Sequence, residues 1–459
     1  MPYSTEEEVM EISKSVIGKT FGEIDKYDRS SIKTKGAMGH VIEESLFDYA
    51  INSNQEADFS ELGIELKVTP VKTNKNKTVS AKERLVLNII NYMTEVNQNF
   101  ETSSFWLKNR RLLFFFYLWK KELAVKDYQI LETLLYTYPE EDLEIIKNDW
   151  KIIHTKIKEG KAHELSEGDT MYLGACTKGS SAKSVRKQPN SDIPAKQRAY
   201  SLKQSYMTSL VRKHFNAEDL VRISNAQELK HQSFDQILEK RFKPYYGKTL
   251  EEIAKSHNLQ INQRFKSKVQ QVVSSILGIT GTKLSSIEEF SKANIQFKTI
   301  RLEPNGLPKE HMSFEQIDFN KWLNQPFDES QIYNKFETTK FLFVVFEYIV
   351  DESNEKKLVL KGIKLWNMPE ETILNEVQDL WYEVRKILTE GVKLKNVKWG
   401  NSYRVENNFP GQDYNRIVHI RPKARDGKDK TKLPDGQYVT KQTYWLDRRY
   451  ISEIVKDLR

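Results

Sequence analysis

The chain has 459 residues and a formal net charge of +8, with 38% hydrophobic and 30% charged residues. That balance fits two or three folded domains and excludes a disordered chain. A single cysteine, Cys176, excludes an internal disulfide and any cysteine-rich zinc site, and the longest apolar run, from Leu112 to Trp119, falls far short of the ~20 residues of a membrane helix.

The acidic N-terminus lacks the apolar stretch of a signal peptide, so a cytoplasmic location is expected. A basic excess allows a polyanionic partner without establishing one. Along the chain, residues 5–17 read as an amphipathic helix with Val9, Ile12 and Val16 on one face, and 35–51 as a second, entered through Gly36 and Gly39. A strand signal follows from Gly63 to Val68, closed by Pro70, then a Lys/Asn-rich hairpin turn at 72–78 and a second strand over 82–90. Leu112 to Tyr117 is a continuous, aromatic-rich run, as expected of a strand covered on both faces. Helical patterns follow, among them about 195–214. The class is α/β.

The second half replays this order. Gly18-Lys19-Thr20 with Ile24 recurs as Gly247-Lys248-Thr249 with Ile253, offset by 229, and Ile64 to Lys67 recurs as Ile295 to Lys298, offset by 231. The aromatic strand recurs as Phe341 to Phe346, and a basic stretch with a polar-aromatic helix occurs at Lys178 to Tyr206 and at Arg421 to Tyr450. Ordered self-similarity of this kind predicts two copies of one domain, a first over 1–217 and a second over 241–459, with a linker region at 218–240.

Asp58 precedes Glu65 by seven residues and Lys67 follows it by two. Strand residues two apart share a face, so Glu65 and Lys67 project together, and Asp58 can return beside them after the turn at Gly63. Two carboxylates with an ammonium suit Mg2+, which takes hard oxygen ligands and keeps several waters. The metal can activate a water against a phosphodiester while the lysine offsets charge. Asp…Glu-x-Lys alone is weak, and an exposed polar face is its ordinary reading.

The segment from Glu56 to Pro70 resembles the active-site segment of the MutH-like endonucleases. The stretch from Lys35 to Glu43 resembles that family's acid-bearing helix, and Glu101 to Lys108 its segment with a second lysine. The resemblance covers most of the chain and is closest to the two-domain, GATC-cleaving type II restriction enzymes of the family. It implies two tandem restriction-endonuclease-like, PD-(D/E)XK domains, each a mixed sheet flanked by helices. Asp58 and Glu65 would be metal ligands, Lys67 the motif lysine, Glu43 the helix acid with Glu44 as a possible substitute, and Lys108 the second lysine.

From Lys178 to Lys203 there are seven Lys or Arg and one acid, and from Arg421 to Lys432 six against two aspartates. Such runs suit phosphate contacts. By the resemblance Lys178 reads bases, as lysine can at guanine O6 and N7, with Lys183, Arg186, Tyr200, Ser201 and Lys203 around it. Cys176 replaces the arginine of the family's Arg-Pro-Lys element, which is intact in the second half as Arg421-Pro422-Lys423, with Tyr444 and Trp445 matching the tyrosine region. In that half Gln296 stands for Glu65, Glu289 for Asp58 and Lys298 for Lys67, and Gln271-Val272-Val273-Ser274 offers no carboxylate for Glu43. The second copy is therefore expected to be degenerate, binding DNA as an effector domain without cutting it.

These readings give a Mg2+-dependent type II restriction endonuclease acting on double-stranded DNA at GATC. One active site per chain makes DNA-induced self-association expected, and a cognate DNA methyltransferase in the host belongs to such a restriction-modification system. A mismatch-repair-type nickase resembles only one copy. A non-catalytic DNA-binding protein on a nuclease scaffold would not need the intact Asp58, Glu65 and Lys67 set.

Overall fold

The computed structural model describes residues 3–31, 36–50, 56–179, 184–260, 265–280, 284–350, 354, 356–400 and 402–458. The chain divides into two compact units, Met1–Phe234 with Ser286–Asn294, and Asp235–Ser285 with Ile295–Arg459. Both are α/β. No helix among the described residues is long and apolar enough to cross a membrane. The stretch 218–240, read from sequence as a linker region, carries the helices Ala226–His231 and Phe234–Phe242.

The first unit has strands β1 (Glu65–Thr73), β2 (Val79–Ala81), β3 (Leu85–Ile89), β4 (Arg111–Leu118), β5 (Ile130–Thr137), β6 (Leu173–Thr177), β7 (Val185–Gln188), β8 (Ser191–Lys196) and β9 (Arg198–Leu202). They form a mixed sheet β2-β1-β4-β5, a sheet β3-β9-β6 and the hairpin β7-β8. β1 runs parallel to β4, with Glu65 opposite Leu112 and Lys67 opposite Phe114. Leu112 to Phe116 are wholly buried, so β4 is the central, two-sided strand its composition suggests.

Two local expectations change. Pro70 does not close the strand, since β1 continues to Thr73. Proline has no amide to give, but β2 pairs only from Val71 onward, and the Pro70 carbonyl takes the Lys82 amide at 3.1 Å. Residues 195–214 are not one helix. β9 ends at Leu202 and the helix starts at Gln204. As the middle strand, β9 is buried along its whole length, which erases the alternation that marks a half-exposed strand.

The second unit has β10 (Ile295–Leu302), β11 (Met312–Gln316), β12 (Lys340–Val350), β13 (Lys356–Trp366), β14 (Leu394–Trp399), β15 (Ser402–Asn407), β16 (Val418–Pro422), β17 (Lys430–Lys432), β18 (Tyr438–Thr440) and β19 (Gln442–Leu446). Its sheets are β10-β12-β13 and β11-β19-β16, with hairpins β14-β15 and β17-β18. β10 runs parallel to β12, Gln296 opposite Phe341 and Lys298 opposite Phe343, and β12 is antiparallel to a bulged β13, as β4 is to a bulged β5.

The glycine-lysine-threonine elements have one shared use. Gly18 and Gly247 adopt φ of +87° and +80°, which favours glycine. Their amides donate to Ile130 and Leu360 on the neighbouring strand, both at 2.8 Å. Thr20 and Thr249 then cap short helices in reciprocal capping boxes with Glu23 and Glu252.

Candidate active site

Glu65 opens β1 and is almost fully buried, and every charged neighbour is arranged around it. Its Oε1 accepts from Lys67 Nζ at 2.8 Å and lies 3.6 Å from Lys108 Nζ, while its Oε2 accepts the Asp58 amide at 3.3 Å. Asp58 Oδ2 in turn accepts the Leu66 amide at 2.9 Å. The Asp58 loop is returned to the strand by a tight turn, in which the Phe59 amide donates to the Ile64 carbonyl at 2.9 Å and Gly63 takes φ +62°. The Arg110 guanidinium lies against Gly63 where a Cβ would stand, so glycine is needed there for conformation and for space.

Lys108 belongs to the helix Ser104–Asn109, capped by Ser103, whose hydroxyl accepts the Trp106 amide at 3.1 Å. Phe105 anchors that helix against Tyr200, with ring centroids 4.8 Å apart. The Tyr200 hydroxyl and Trp150 Nε1 both donate to Glu95 Oε1, at 2.7 and 2.9 Å. Glu43 lies on a π-helical turn, Val41–Leu46, a geometry common at functional sites because it rephases the helix face. Val41 and Ile42 pack in the core. Glu44, the alternative to it, is held by Arg29 with two bonds, at 2.7 and 3.0 Å.

The electrostatics follow from three carboxylates facing two lysines away from water. Burial, then the nearby Glu65 charge, raises Asp58 to about 7. Burial followed by Glu65 also raises Glu43. The Glu43 carboxylate has no hydrogen bond or ion pair among the described residues, and none is made there to Asp58 Oδ1. A buried cluster of hard oxygens short of positive charge, with lone pairs unused, fits a hard divalent cation. Asp58, Glu65 and Glu43 are the residues present to hold one.

The other sequence-selected residues are spread differently. Lys178 is exposed just beyond β6, its amide bonded to the Gln197 carbonyl at 2.8 Å, and Arg186 is exposed on β7. Lys183 lies outside the described residues. Tyr200, Ser201 and Lys203 are buried and do not form a surface for DNA. Tyr200 supports the Lys108 helix, and the Lys203 ammonium donates to the Thr170 carbonyl. In the second unit Arg421 and Lys423 are exposed, the Arg421 guanidinium lies 5.6 Å from the Trp445 ring, and Lys423 Nζ donates to Ser313 Oγ at 2.7 Å. Trp445 is half-buried, whereas Tyr444 is a core residue whose hydroxyl donates to Glu315 at 2.7 Å.

At the register position of Glu65, the Gln296 side-chain oxygen accepts Lys335 Nζ at 2.9 Å. Lys335 was not singled out from sequence, yet a signal was there. It stands five residues after the helix cap Ser330, as Lys108 stands five after Ser103. Its ammonium also pairs with Glu315. Lys298 lies over the Phe314 ring at 5.1 Å. Glu289 does not act as an Asp58. It lies on the helix Glu288–Ala293 within the first unit, where its buried carboxylate accepts the Ile223 and Ser224 amides and the Ser224 hydroxyl, the last at 2.6 Å.

A family model described as DNA mismatch repair enzyme MutH matches residues 47–149 and 281–376. The type II restriction enzyme Sau3AI of Staphylococcus aureus is 37% identical over 99% of this chain and 99% of its own length. The DNA mismatch repair proteins MutH of Shewanella woodyi and Vibrio campbellii are 28% and 24% identical, each over 46% of this chain and 93% and 95% of their own lengths.

Proposed function

The chain belongs to the MutH family, and from that premise we infer that it is a type II site-specific deoxyribonuclease cutting double-stranded DNA at GATC with Mg2+. The observation that carries this reading is the convergence of Asp58, Glu65, Lys67 and Lys108 with the unpartnered Glu43 nearby. Full-length similarity to a restriction enzyme, against half-length similarity to the mismatch-repair proteins, favours double-strand cutting over nicking.

Bound Mg2+ would supply Lewis acidity to the phosphate and lower the pKa of a coordinated water. The residues of this chain do the rest. Asp58 and Glu65 orient oxygens from two adjoining backbone segments, each fixed by an amide of the other segment. Lys67 keeps its ammonium on Glu65, where it would offset charge on the reacting phosphate. Lys108, held by a capped and ring-packed helix, brings a second positive charge for the phosphorane.

The second unit reads as a degenerate copy. The shared pairings β1-β4-β5 and β10-β12-β13 support that reading, as do the paired capping boxes at Thr20 and Thr249. Gln296 removes the central carboxylate, so this unit would bind DNA through Arg421, Lys423 and Trp445 without cutting it. With one active site per chain, cutting both strands takes two chains on the site or two visits by one, and assembly of two chains on DNA is the route proposed.

The deciding experiment is cleavage of unmethylated plasmid carrying several GATC sites, with and without Mg2+. Linear fragments ending at GATC are expected only with metal. Open circles alone would establish a nickase. Salt-sensitive binding without any cutting would leave a non-catalytic DNA-binding protein.

A further inference from the structure

The three strands of the sheet β11-β19-β16 each bring one metal-ligand type to a single point. His311 immediately precedes β11, His419 lies on β16 and Asp447 immediately follows β19. Their donor atoms all lie within 4.8 Å of one another, and Asp447 Oδ2 is 3.7 Å from His311 Nδ1 and 3.9 Å from His419 Nδ1. We propose that these residues form a transition-metal site of the zinc class in the second unit, separate from the nuclease centre.

The independent sign of a ligand is His419. It is 1% exposed, and neither ring nitrogen has a hydrogen-bond partner among the described residues. The His311 ring packs against it edge to face, with centroids 4.8 Å apart. Burying a polar ring with both nitrogens unsatisfied is costly, and a metal bond removes that cost at one nitrogen.

The first unit shows what otherwise fills this place. Leu85 and Leu173 both face Leu202, and Met312 and Val418 both face Leu446, so Arg84, Gly174 and Lys203 match His311, His419 and Asp447. There Glu167 packs over the bare Gly174 backbone and pairs with Arg84. In the second unit the imidazole of His419 stands where the glycine is, with the Asp447 carboxylate 3.9 Å away and no hydrogen bond to either ring nitrogen among the described residues.

Asp447 retains capacity for the metal. Its Oδ1 takes the amide and Nε of Arg449 and its Oδ2 takes one guanidinium nitrogen, each at 2.8 Å, which uses three of about four lone-pair sites. That clamp also fixes the carboxylate, as supporting bonds do around protein metal ligands. His311 Nδ1 accepts a 3.2 Å bond from the amide of Arg448, an exposed residue, which ligation would replace. Tetrahedral zinc with N and O ligands needs donors roughly 3.4 Å apart, so modest side-chain rotation closes the set. His311 lines a cleft of about 330 Å³, from which water would take the fourth position. A metal here would tie together the three strands that present Arg421, Trp445 and Ser313.

The test uses the untagged full chain carrying Asp58→Ala and Glu65→Ala, which disables the nuclease centre. It is dialysed against Zn2+ and then metal-free buffer, and metal is measured by mass spectrometry. One retained zinc per chain and a zinc-dependent rise in Tm are expected, and cobalt should give the visible bands of a tetrahedral site. Adding His311→Ala or His311→Gln should abolish all three with unchanged circular dichroism. Should both variants unfold, the cobalt spectrum and the zinc-dependent Tm of the parent chain decide. No stoichiometric retention, or retention untouched by the His311 substitutions, overturns the site.

Discussion

At one register the first unit has Glu65 and the second Gln296, and the charged groups around the two positions differ as well. Glu65 gathers Lys67, Lys108 and the Asp58 amide. Gln296 accepts from Lys335, whose ammonium also pairs with the carboxylate of Glu315. The surface positions differ in the opposite sense. Cys176 and Ser201 are buried in the first unit, whereas in the second their register counterparts are the exposed Arg421, whose guanidinium lies 5.6 Å from the ring centroid, and the half-buried Trp445 that carries that ring. One frame thus supports a charged, buried centre in one unit and a cationic, aromatic surface in the other. A fold does not fix a function; the side chains placed on it do.

The sharpest way to break this comparison is to make the first unit resemble the second. Glu65→Gln should lower the cleavage rate by on the order of 10³-fold while leaving salt-sensitive DNA binding in place. Undiminished cleavage in a single-turnover assay would place the chemistry elsewhere. Next in size is the lysine pair. Lys108→Ala should slow single-turnover cleavage by roughly 10²-fold. Lys335→Ala, in the unit without the acid, should leave that rate unchanged.

Protonation gives a third, smaller effect. Because Asp58 is raised to about 7, the folded chain without metal holds a proton that the unfolded chain releases near 3.8. The stability contributed by this proton is present below about pH 4 and is lost as pH rises through about 7. Metal must displace the same proton, so apparent Mg2+ affinity should rise about fivefold from pH 6 to 7, about twofold more from pH 7 to 8, and flatten above that. Metal titrations of cleavage at pH 6, 7 and 8 read this directly, and Asp58→Asn should remove the steep part together with most activity.

The smallest expected effect is the reverse exchange. Gln296→Glu in the Glu65→Gln chain should not restore cutting, since Glu289 is committed to the Ile223 and Ser224 amides and cannot serve as a second Asp58. Recovered cleavage would show that one carboxylate with Lys298 and Lys335 suffices.

The sequence by itself determined the α/β class, the repeat of Gly18-Lys19-Thr20 at Gly247 and the alignment of Glu65 with Lys67. These depend on local rules: two-residue periodicity, capping chemistry and a glycine at positive φ. It also pointed to Glu43, although only the structure separates it from Glu44, because the bond from Arg29 is a long-range contact. Tertiary structure alone decided that Tyr200, Ser201 and Lys203 are interior, that Glu289 caps backbone amides, and that Lys335 replaces Lys108. It also brought His311, His419 and Asp447 together. The physical reason is that a strand or helix face is buried by the layers packed against it, and side chains far apart in sequence meet only once strand register and helix packing are set.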